Sequence, residues 1–401
     1  MLAIFVTDAA YHAERAEGLR RAYEASVPGA VAQVRRWLPE HGDRALPAEA
    51  ARLVHARQHG ATDWPSFLAA LDALAAGRTT EPFLEAFEAM RAQAWGRLHE
   101  ILERHPQLAR ARGTNGNTLL NLGVSLAGAS CAPLPGETAE ILDRLLGTGD
   151  VNQANDRGWA PLHQAAYANT VPLVEALLAA GADPRLEAYG EGGTPLAVAL
   201  FWGHREAADA LAARGVCPPN LRVAAGLGNL ERVRACFAPD GALAEEGASG
   251  RGFYRPHTGF PAWQPSGHRQ EVLDEALVWA AKADRVEVLP ELVARGANVN
   301  ADPYRGTPLA WAAANGRLGA ARWLLDHGAE LDRAGTFGGP SHGEGVTALH
   351  LAAQADRPEM VQLLLDRGAN PSLTDGLYAG TPRGWAEHEG ATRVLTLLRD
   401  A

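Results

Sequence analysis

Lysine is almost absent from this sequence: Lys282 is the only one among 401 residues. The remaining cations are arginine, and with so much Ala, Gly and Pro the bias fits a GC-rich, bacterial genome and carries no mechanism. Cysteine is scarce. Cys131, Cys217 and Cys236 are odd in number and lack metal or disulfide spacing, which excludes a disulfide framework and points to a reducing cytoplasmic interior. They read as small buried apolar groups. Positive charge is also in deficit, and a net charge of −10 argues against general affinity for nucleic acid or anionic membrane. No run is apolar for long enough to span a bilayer. The opening Met1–Asp8 has neither a basic leader nor a long apolar centre, so no export signal is expected. Missing as well are a Gly-x-Ser-x-Gly elbow, a phosphate loop and a dinucleotide fingerprint; Gly113-Thr114-Asn115-Gly116 reads as a turn before a helix. No enzymatic activity, cofactor or metal is expected.

What is present is apolar content of 47%, ample for a core, in a chain long enough for two or three domains or one elongated array. Residues 1–80 read as a small helical unit. Helices are expected near Tyr11–Tyr23, Ala30–Glu40, Pro47–Gly60 and Pro65–Leu74, with Pro65 as a first helical residue. The breaks are Pro28-Gly29, His41-Gly42 and Gly60-Ala61-Thr62-Asp63, and Gly77–Pro82 has a linker's composition.

From Phe83 to Ala401 the chain repeats itself. Its cleanest stretch is Val346–Asp375. There Thr347 can cap a helix, and Leu349, Ala352 and Ala353 share one helical face. Met360, Leu363, Leu364 and Leu365 form the apolar side of a second helix, which Gly368 ends. Aligned on Thr347, the units start at Thr118, Ala160, Thr194, Pro219, Glu275, Thr307, Thr347 and Thr381. The best-matched intervals are 32–34 residues. Gly181, Gly215, Gly296, Gly328 and Gly368 each lie 21 residues after a start. Small pairs recur at Ala165-Ala166, Ala224-Ala225, Ala280-Ala281, Ala312-Ala313 and Ala352-Ala353. Helices this short need neighbours to be stable in water.

In Ala160-Pro161-Leu162-His163, Thr194-Pro195-Leu196-Ala197, Thr307-Pro308-Leu309-Ala310 and Thr347-Ala348-Leu349-His350 the chain resembles the ankyrin-repeat family. The turns Gly181-Ala182-Asp183, Gly296-Ala297-Asn298-Val299-Asn300 and Gly368-Ala369-Asn370 carry the same resemblance. It implies an all-α solenoid of helix–turn–helix units with finger loops, curved around a concave face. About eight to nine units, degenerate caps included, are expected over 83–401. Phe83–Arg112 reads as a degenerate first repeat with Leu98, Ile101 and Leu102 inside, and Thr381–Arg399 as a polar terminal cap. The resemblance also implies that His163 and His350 hydrogen-bond to finger backbone. Ala56-Arg57-Gln58-His59-Gly60 and Asp63-Trp64-Pro65 are similar to a helical segment that precedes the repeats in a bacterial subgroup.

The departures from the repeat are where function is expected. Extra residues fall around Ala127–Glu137, the finger between Thr194 and Pro219 is nearly absent, and a long insertion lies near 242–272. The stretch from Arg251 to Pro265 carries four aromatics and a smaller insertion spans Gly335–Gly345; loops of such length are often functional. Groove-facing positions hold Trp279, Trp311, Leu351 and Trp385, with Tyr167, Phe201, Trp202, Lys282, Ala314, Asn315 and Gln354 one turn on. These side chains form either an apolar binding strip or, with the insertions over them, covered core.

Two readings follow. In the first the chain is a non-enzymatic scaffold that binds an unidentified protein. Tyr167, Phe201, Trp202, Trp279, Lys282, Trp311, Asn315 and Trp385 would act through the groove, and Phe253, Tyr254, Arg255, His257, Phe260, Trp263, Tyr304, Arg305 and His342 through the loops. In the second the chain is a small-molecule or peptide-binding protein, weakly enzymatic or not, whose pocket the 251–265 loop closes, with His257, His342 and Arg255 as polar groups. Among the 14 histidines, His257, His268, His327 and His342 show no ligand spacing.

Overall fold

The structure is a computed structural model that describes residues 1–26, 28–42, 44–126, 135–188, 191–214, 217–252, 265–335 and 344–398. Cys131 and Gly215 lie outside these ranges. Regular structure among the described residues is helical, joined by three isolated bridges and no strand, as an all-α repeat fold requires. Two compact units divide the chain, Met1–Asp183 and Pro184–Ala401. The helical segment at 1–80 shares the first of these with the earliest repeats.

In the first unit, α1 (Ala9–Glu24), α2 (Pro28–Trp37) and α3 (Ala48–Gln58) pack on one another, and α4 (Trp64–Ala75) rests on α3. Asp63 caps α4, accepting from the Ser66 N–H at 2.8 Å, so the helix begins at Trp64 and Pro65 is its second residue. The residues before α1 tie this segment to the next. Leu2 donates its N–H to the Gln58 carbonyl at 2.7 Å and Ala3 to that of Arg112 at 2.8 Å. Phe5 packs on Phe83 and Phe87 of the following helix, with ring centroids 6.1 and 5.0 Å apart. Three helix pairs follow: α5 (Pro82–Arg91) with α6 (Trp95–Arg104), α7 (Leu119–Leu126) with α8 (Gly136–Thr148), and α9 (Pro161–Tyr167) with α10 (Val171–Ala179). Leu98, Ile101 and Leu102 are buried on α6, as read from the sequence.

The second unit continues with α11 (Pro195–Trp202), α12 (Arg205–Ala212), α13 (Leu221–Gly226), α14 (Leu230–Ala235) and the single turn α15 (Glu245–Ala248). Then come α16 (Arg269–Lys282), α17 (Leu289–Ala294), α18 (Pro308–Ala314), α19 (Leu318–Asp326), α20 (Ala348–Gln354), α21 (Pro358–Asp366), α22 (Pro382–Glu389) and α23 (Thr392–Leu395). The first helices of successive repeats pack side by side, α13 on α16, α16 on α18, α18 on α20 and α20 on α22. Their alanine pairs, 224–225, 280–281, 312–313 and 352–353, lie in one buried cluster. Without bulk at those positions neighbouring backbones approach closely, and helices too short for independent stability share a core.

Threonine caps recur as expected: Thr194 accepts from Ala197 at 3.3 Å, Thr307 from Ala310 at 3.1 Å and Thr381 from Gly384 at 3.2 Å. Two starts differ from the sequence alignment. Asn220, and not Pro219, caps α13, and Glu275 sits inside α16, which begins six residues earlier at Arg269. The closing glycines Gly181, Gly296, Gly328 and Gly368 have φ between 91° and 106°. The following alanine N–H bonds back to the carbonyl of Leu177, Leu292, Leu324 or Leu364 at 2.9–3.0 Å. Polar side chains then clasp each finger to the element before it, α16 in the first case and a finger in the others. Asp274 accepts from the Asn298 N–H at 2.7 Å, Asn300 from that of Glu330 at 2.8 Å and Asp332 from that of Asn370 at 3.1 Å.

His350 is a further clasp. Its Nδ1 accepts from the Thr347 N–H at 3.2 Å and meets the Thr347 hydroxyl at 2.9 Å, while Nε2 donates to the Gly380 carbonyl at 3.1 Å. This is the finger contact that the resemblance implies. Burial lowers the His350 pKa, so the ring is held neutral. His350→Ala strips buried backbone groups of their partner, and we expect a loss of about 1–3 kcal/mol in urea unfolding. A change below about 0.5 kcal/mol would show that the ring does not hold the finger.

A candidate interaction site around Lys282 and Trp385

The unusually long α16 places Glu271, Glu275, Trp279 and Lys282 along one face, since steps of four, four and three residues return to the same side of a helix. Three other elements converge on that face. From α13, Arg222 donates through Nη1 to Glu275 Oε1 at 2.9 Å and through Nη2 to the Gly250 carbonyl at 2.8 Å. Its guanidinium lies 4.5 Å from the Trp279 ring centroid. Arg251, at the start of the long insertion, donates to Glu275 Oε2 and to Glu271 Oε1, the latter at 3.0 Å. The same Arg251 reaches the Ser266 carbonyl at 2.5 Å, and Glu271 accepts from the Ser266 N–H at 2.6 Å. One arginine and one carboxylate therefore pin both ends of the 251–266 insertion onto α16.

Lys282 ends the row and is fully buried. Its ammonium donates to the Phe201 carbonyl on α11 at 3.0 Å and lies 3.5 Å from the Trp311 ring centroid and 4.6 Å from that of Phe201. Arg305 stacks 5.8 Å from Trp311 and 5.7 Å from Tyr304, and Phe201 contacts both Tyr304 and Trp202. Asn315 turns its amide to the Trp311 carbonyl at 3.0 Å. Burial pushes the Lys282 pKa well below the usual lysine value, aided by the Arg305 charge and opposed by Glu275. Burial likewise pushes Arg305 down to about 10, and lowers Arg222 against the pull of Glu275.

The structure thus brings together Phe201, Trp202, Trp279, Lys282, Tyr304, Arg305, Trp311 and Asn315. Phe201, Trp279, Lys282, Arg305 and Trp311 are buried, whereas Trp202, Tyr304 and Asn315 are half-buried. Of the groove-facing side chains, Trp279, Trp311, Leu351 and Trp385 are buried. Phe253, Tyr254, Arg255, His257, Phe260, Trp263 and His342 lie outside the described residues. Tyr167 belongs to the first unit, where it meets Trp159 edge-on at 5.7 Å. The ion pairs of Arg222, Arg251, Glu271 and Glu275 were missed from sequence, although the 271–275–279–282 spacing on a continuous helix is a legible signal.

Trp385 stands elsewhere in the second unit, on α22. Its indole N–H donates to Asp375 Oδ2 at 2.9 Å, and the same carboxylate accepts from the N–H groups of Leu377, Tyr378 and Gly380 at 2.7–2.9 Å. Partial burial opposes ionisation, but the bonds from Tyr378, Trp385, Leu377 and Gly380 outweigh it and hold the carboxyl below its usual value. The loop wound on Asp375 presents Leu377 at 45% and Tyr378 at 68% exposure. Beside it lies a cleft of about 440 Å³ lined by Gln354, Tyr378, Gly380, Gly384, Trp385, His388 and Glu389.

Ankyrin-repeat family models match this chain over residues 130–222 and 264–335, and again over 344–376. Among proteins similar in sequence, the human ankyrin repeat and SOCS box protein 6 is 34% identical over 125 residues, which is 30% of this chain and 28% of that protein. The ankyrin repeat domain-containing protein SAT10 of Stachybotrys chartarum is 33% identical over 125 residues, 31% of this chain and 6% of that one. The glycerophosphocholine phosphodiesterase gde1 of Schizosaccharomyces pombe is 44% identical over 52 residues, 13% of this chain and 5% of its own. The chain spans less than a third of the length of the curated relatives it matches.

Two outcomes test this geometry. Glu275→Ala strands Arg222 and Arg251 in the interior, and we expect a cost of about 3–5 kcal/mol in urea unfolding. Because the Lys282 pKa is depressed in the folded state, the unfolded chain binds the extra proton between that value and about 10.4, so stability rises with pH through this window. Lys282→Met removes that slope. The wild-type-minus-variant difference in unfolding free energy is expected to climb by up to about 1.4 kcal/mol per pH unit within that window, measured by urea titration from pH 7 to 10. A difference flat across the range would place the amine in an ordinary, solvated state.

Proposed function

From the premise that the chain carries ankyrin repeats, we propose that it is a non-enzymatic scaffold that binds a protein partner. The single observation that supports this most is the Asp375-wound finger. Four hydrogen bonds to the Asp375 carboxylate hold the loop while its two apolar side chains, Leu377 and Tyr378, face outward beside a cleft. Preorganised aromatic surface of this kind loses little entropy on binding, and Tyr and Trp are favoured interface anchors. A partner's apolar side chain enters the cleft, and Gln354, His388 and Glu389 supply the polar rim.

In this reading the groove residues divide by access. Trp202, Tyr304 and Asn315 meet the partner in the second unit and Tyr167 in the first, while Phe201, Trp279, Lys282, Arg305 and Trp311 form the foundation beneath. Phe253, Tyr254, Arg255, His257, Phe260, Trp263 and His342 complete the face from the insertions. The helical segment at 1–80 serves as an element packed against the start of an array over 83–401. Arginine-for-lysine bias, the few cysteines and the Trp64-Pro65 segment support a bacterial, cytoplasmic setting. No helix among the described residues is long and apolar enough to cross a membrane.

A second reading has its own support in Arg251, which joins the two described ends of the 251–265 insertion by bonding to Ser266 and Glu271. There the loop closes a pocket for a small molecule or peptide. Unchanged melting across a library of metabolites would remove it.

For the scaffold, affinity capture from cells expressing the protein would compare wild type with Leu377→Ser/Tyr378→Ala. Both side chains are exposed, so folding should survive, and loss of a two-residue anchor is expected to weaken the partner by about 2 kcal/mol, roughly 30-fold. Equal recovery of the same partners by both proteins would sink the proposed docking face.

A further inference from the structure

The helical segment ahead of the repeats holds a histidine group that partner binding does not use. His55 and His59 stand one turn apart on α3, and an i, i+4 spacing puts both imidazoles on the same face. That face packs on α1, which contributes His12. His12 is fully buried and His55 is 5% exposed, while His59 sits half-buried at the outer edge. One ring nitrogen from each lies within 4.8 Å of the other two.

The hydrogen bonds turn the lone pairs of His12 and His59 inward, and His55 Nε2 donates its proton to His12 Nδ1. His12 Nε2 donates to the Val6 carbonyl at 2.7 Å, so its Nδ1 carries no proton and faces His55 Nε2 at 2.9 Å. His59 Nδ1 donates to the His55 carbonyl at 3.0 Å, which leaves Nε2 as the lone-pair nitrogen. That Nε2 is buried and has no hydrogen-bond partner. Metal-bound histidines almost always donate the outer N–H to a carbonyl, carboxylate or water, and two of these three already do so. Phe67 walls the group, its ring centroid 4.9, 5.7 and 5.0 Å from those of His12, His55 and His59. Burial above all holds the rings neutral, lowering His12, pushing His55 to about 2 and His59 to about 4.

We propose that His12 Nδ1, His55 Nε2 and His59 Nε2 bind one divalent transition-metal ion of the zinc class, which clamps α1 to α3. An imidazole-only donor set suits zinc, copper or nickel and not magnesium or calcium, which take oxygen ligands. Metal–nitrogen bonds of about 2.0–2.1 Å in a tetrahedron set the nitrogens roughly 3.3 Å apart. The His12–His55 pair at 2.9 Å needs only a slight opening, and His59 swings in. On binding, the proton of His55 moves from Nε2 to Nδ1, so the ring stays neutral. Water fills the fourth position from the exposed side at His59. The sequence expectation of no metal considered other histidines and passed over His55-x-x-x-His59, the spacing that carries this site.

The test uses the full chain, stripped of metal and titrated with Zn²⁺ and Co²⁺. One equivalent should bind, give the visible d–d absorption of tetrahedral Co²⁺ and raise the thermal unfolding midpoint. His59→Gln is expected to weaken binding by more than the roughly 10–100-fold that loss of an outer-shell partner costs. His268→Gln, exposed at the start of α16, should leave it unchanged. X-ray absorption on the wild-type zinc complex should count three imidazoles, a readout independent of how any variant folds. No uptake at one equivalent, uptake unaffected by His59→Gln, or fewer than three imidazoles around zinc would each overturn the proposal.

Discussion

Helices of two turns have no stability of their own in water, and the rest of this structure answers that constraint. Each first helix after α16 spans only seven or eight residues, so its enthalpy comes almost wholly from neighbours. Paired alanines let those neighbours approach until both backbones share one apolar layer. Within the second unit each of these repeats is stabilised by the next, so order in one supports order in its neighbours. The clasps from Asp274, Asn300 and Asp332 extend the same dependence to the fingers, whose exposed turns would otherwise have little to hold them.

Within that plan α16 is the exception that creates chemistry. It runs 14 residues, extends beyond its neighbours, and carries two carboxylates into a layer where arginines enter from α13 and from the insertion. Buried charge is costly unless it is paired and hydrogen-bonded. Here Glu275 serves two guanidiniums at once, and Arg251 spends its remaining donors on the insertion's far end. Stability of the second unit and the position of the loop are therefore coupled through one ion network. Lys282, with aromatic rings in place of a carboxylate, is the member of the row for which burial weighs most.

The two polar clusters differ in what they can do. Around Lys282 the charged groups are committed to one another and to backbone, so the residues left for a partner lie at the edges, in Trp202, Tyr304 and Asn315. At Trp385 the polar groups face inward to a single carboxylate and turn the apolar ones outward. The first arrangement builds a foundation and the second an exposed docking edge.

Much of the fold was legible without coordinates. Threonine starts, alanine pairs and closing glycines occur at fixed offsets because each answers a local need: a first-turn N–H to satisfy, a close backbone approach, a positive φ. The sequence by itself determined the helical repeat, its register over most units, and the scaffold roles of His350 and Gly368. It placed Glu275 at a helix start and missed the extension to Arg269, since apolar periodicity marks a buried face and not where a helix begins. Only the tertiary structure decided that Trp279 and Trp311 are covered, that Arg251 closes the insertion, and that His12 meets His55 and His59. Each depends on which segments meet across the chain, 24 positions apart for Arg251 and Glu275 and 43 for His12 and His55, and burial is a property of what packs against a residue, which spacing along one helix does not contain.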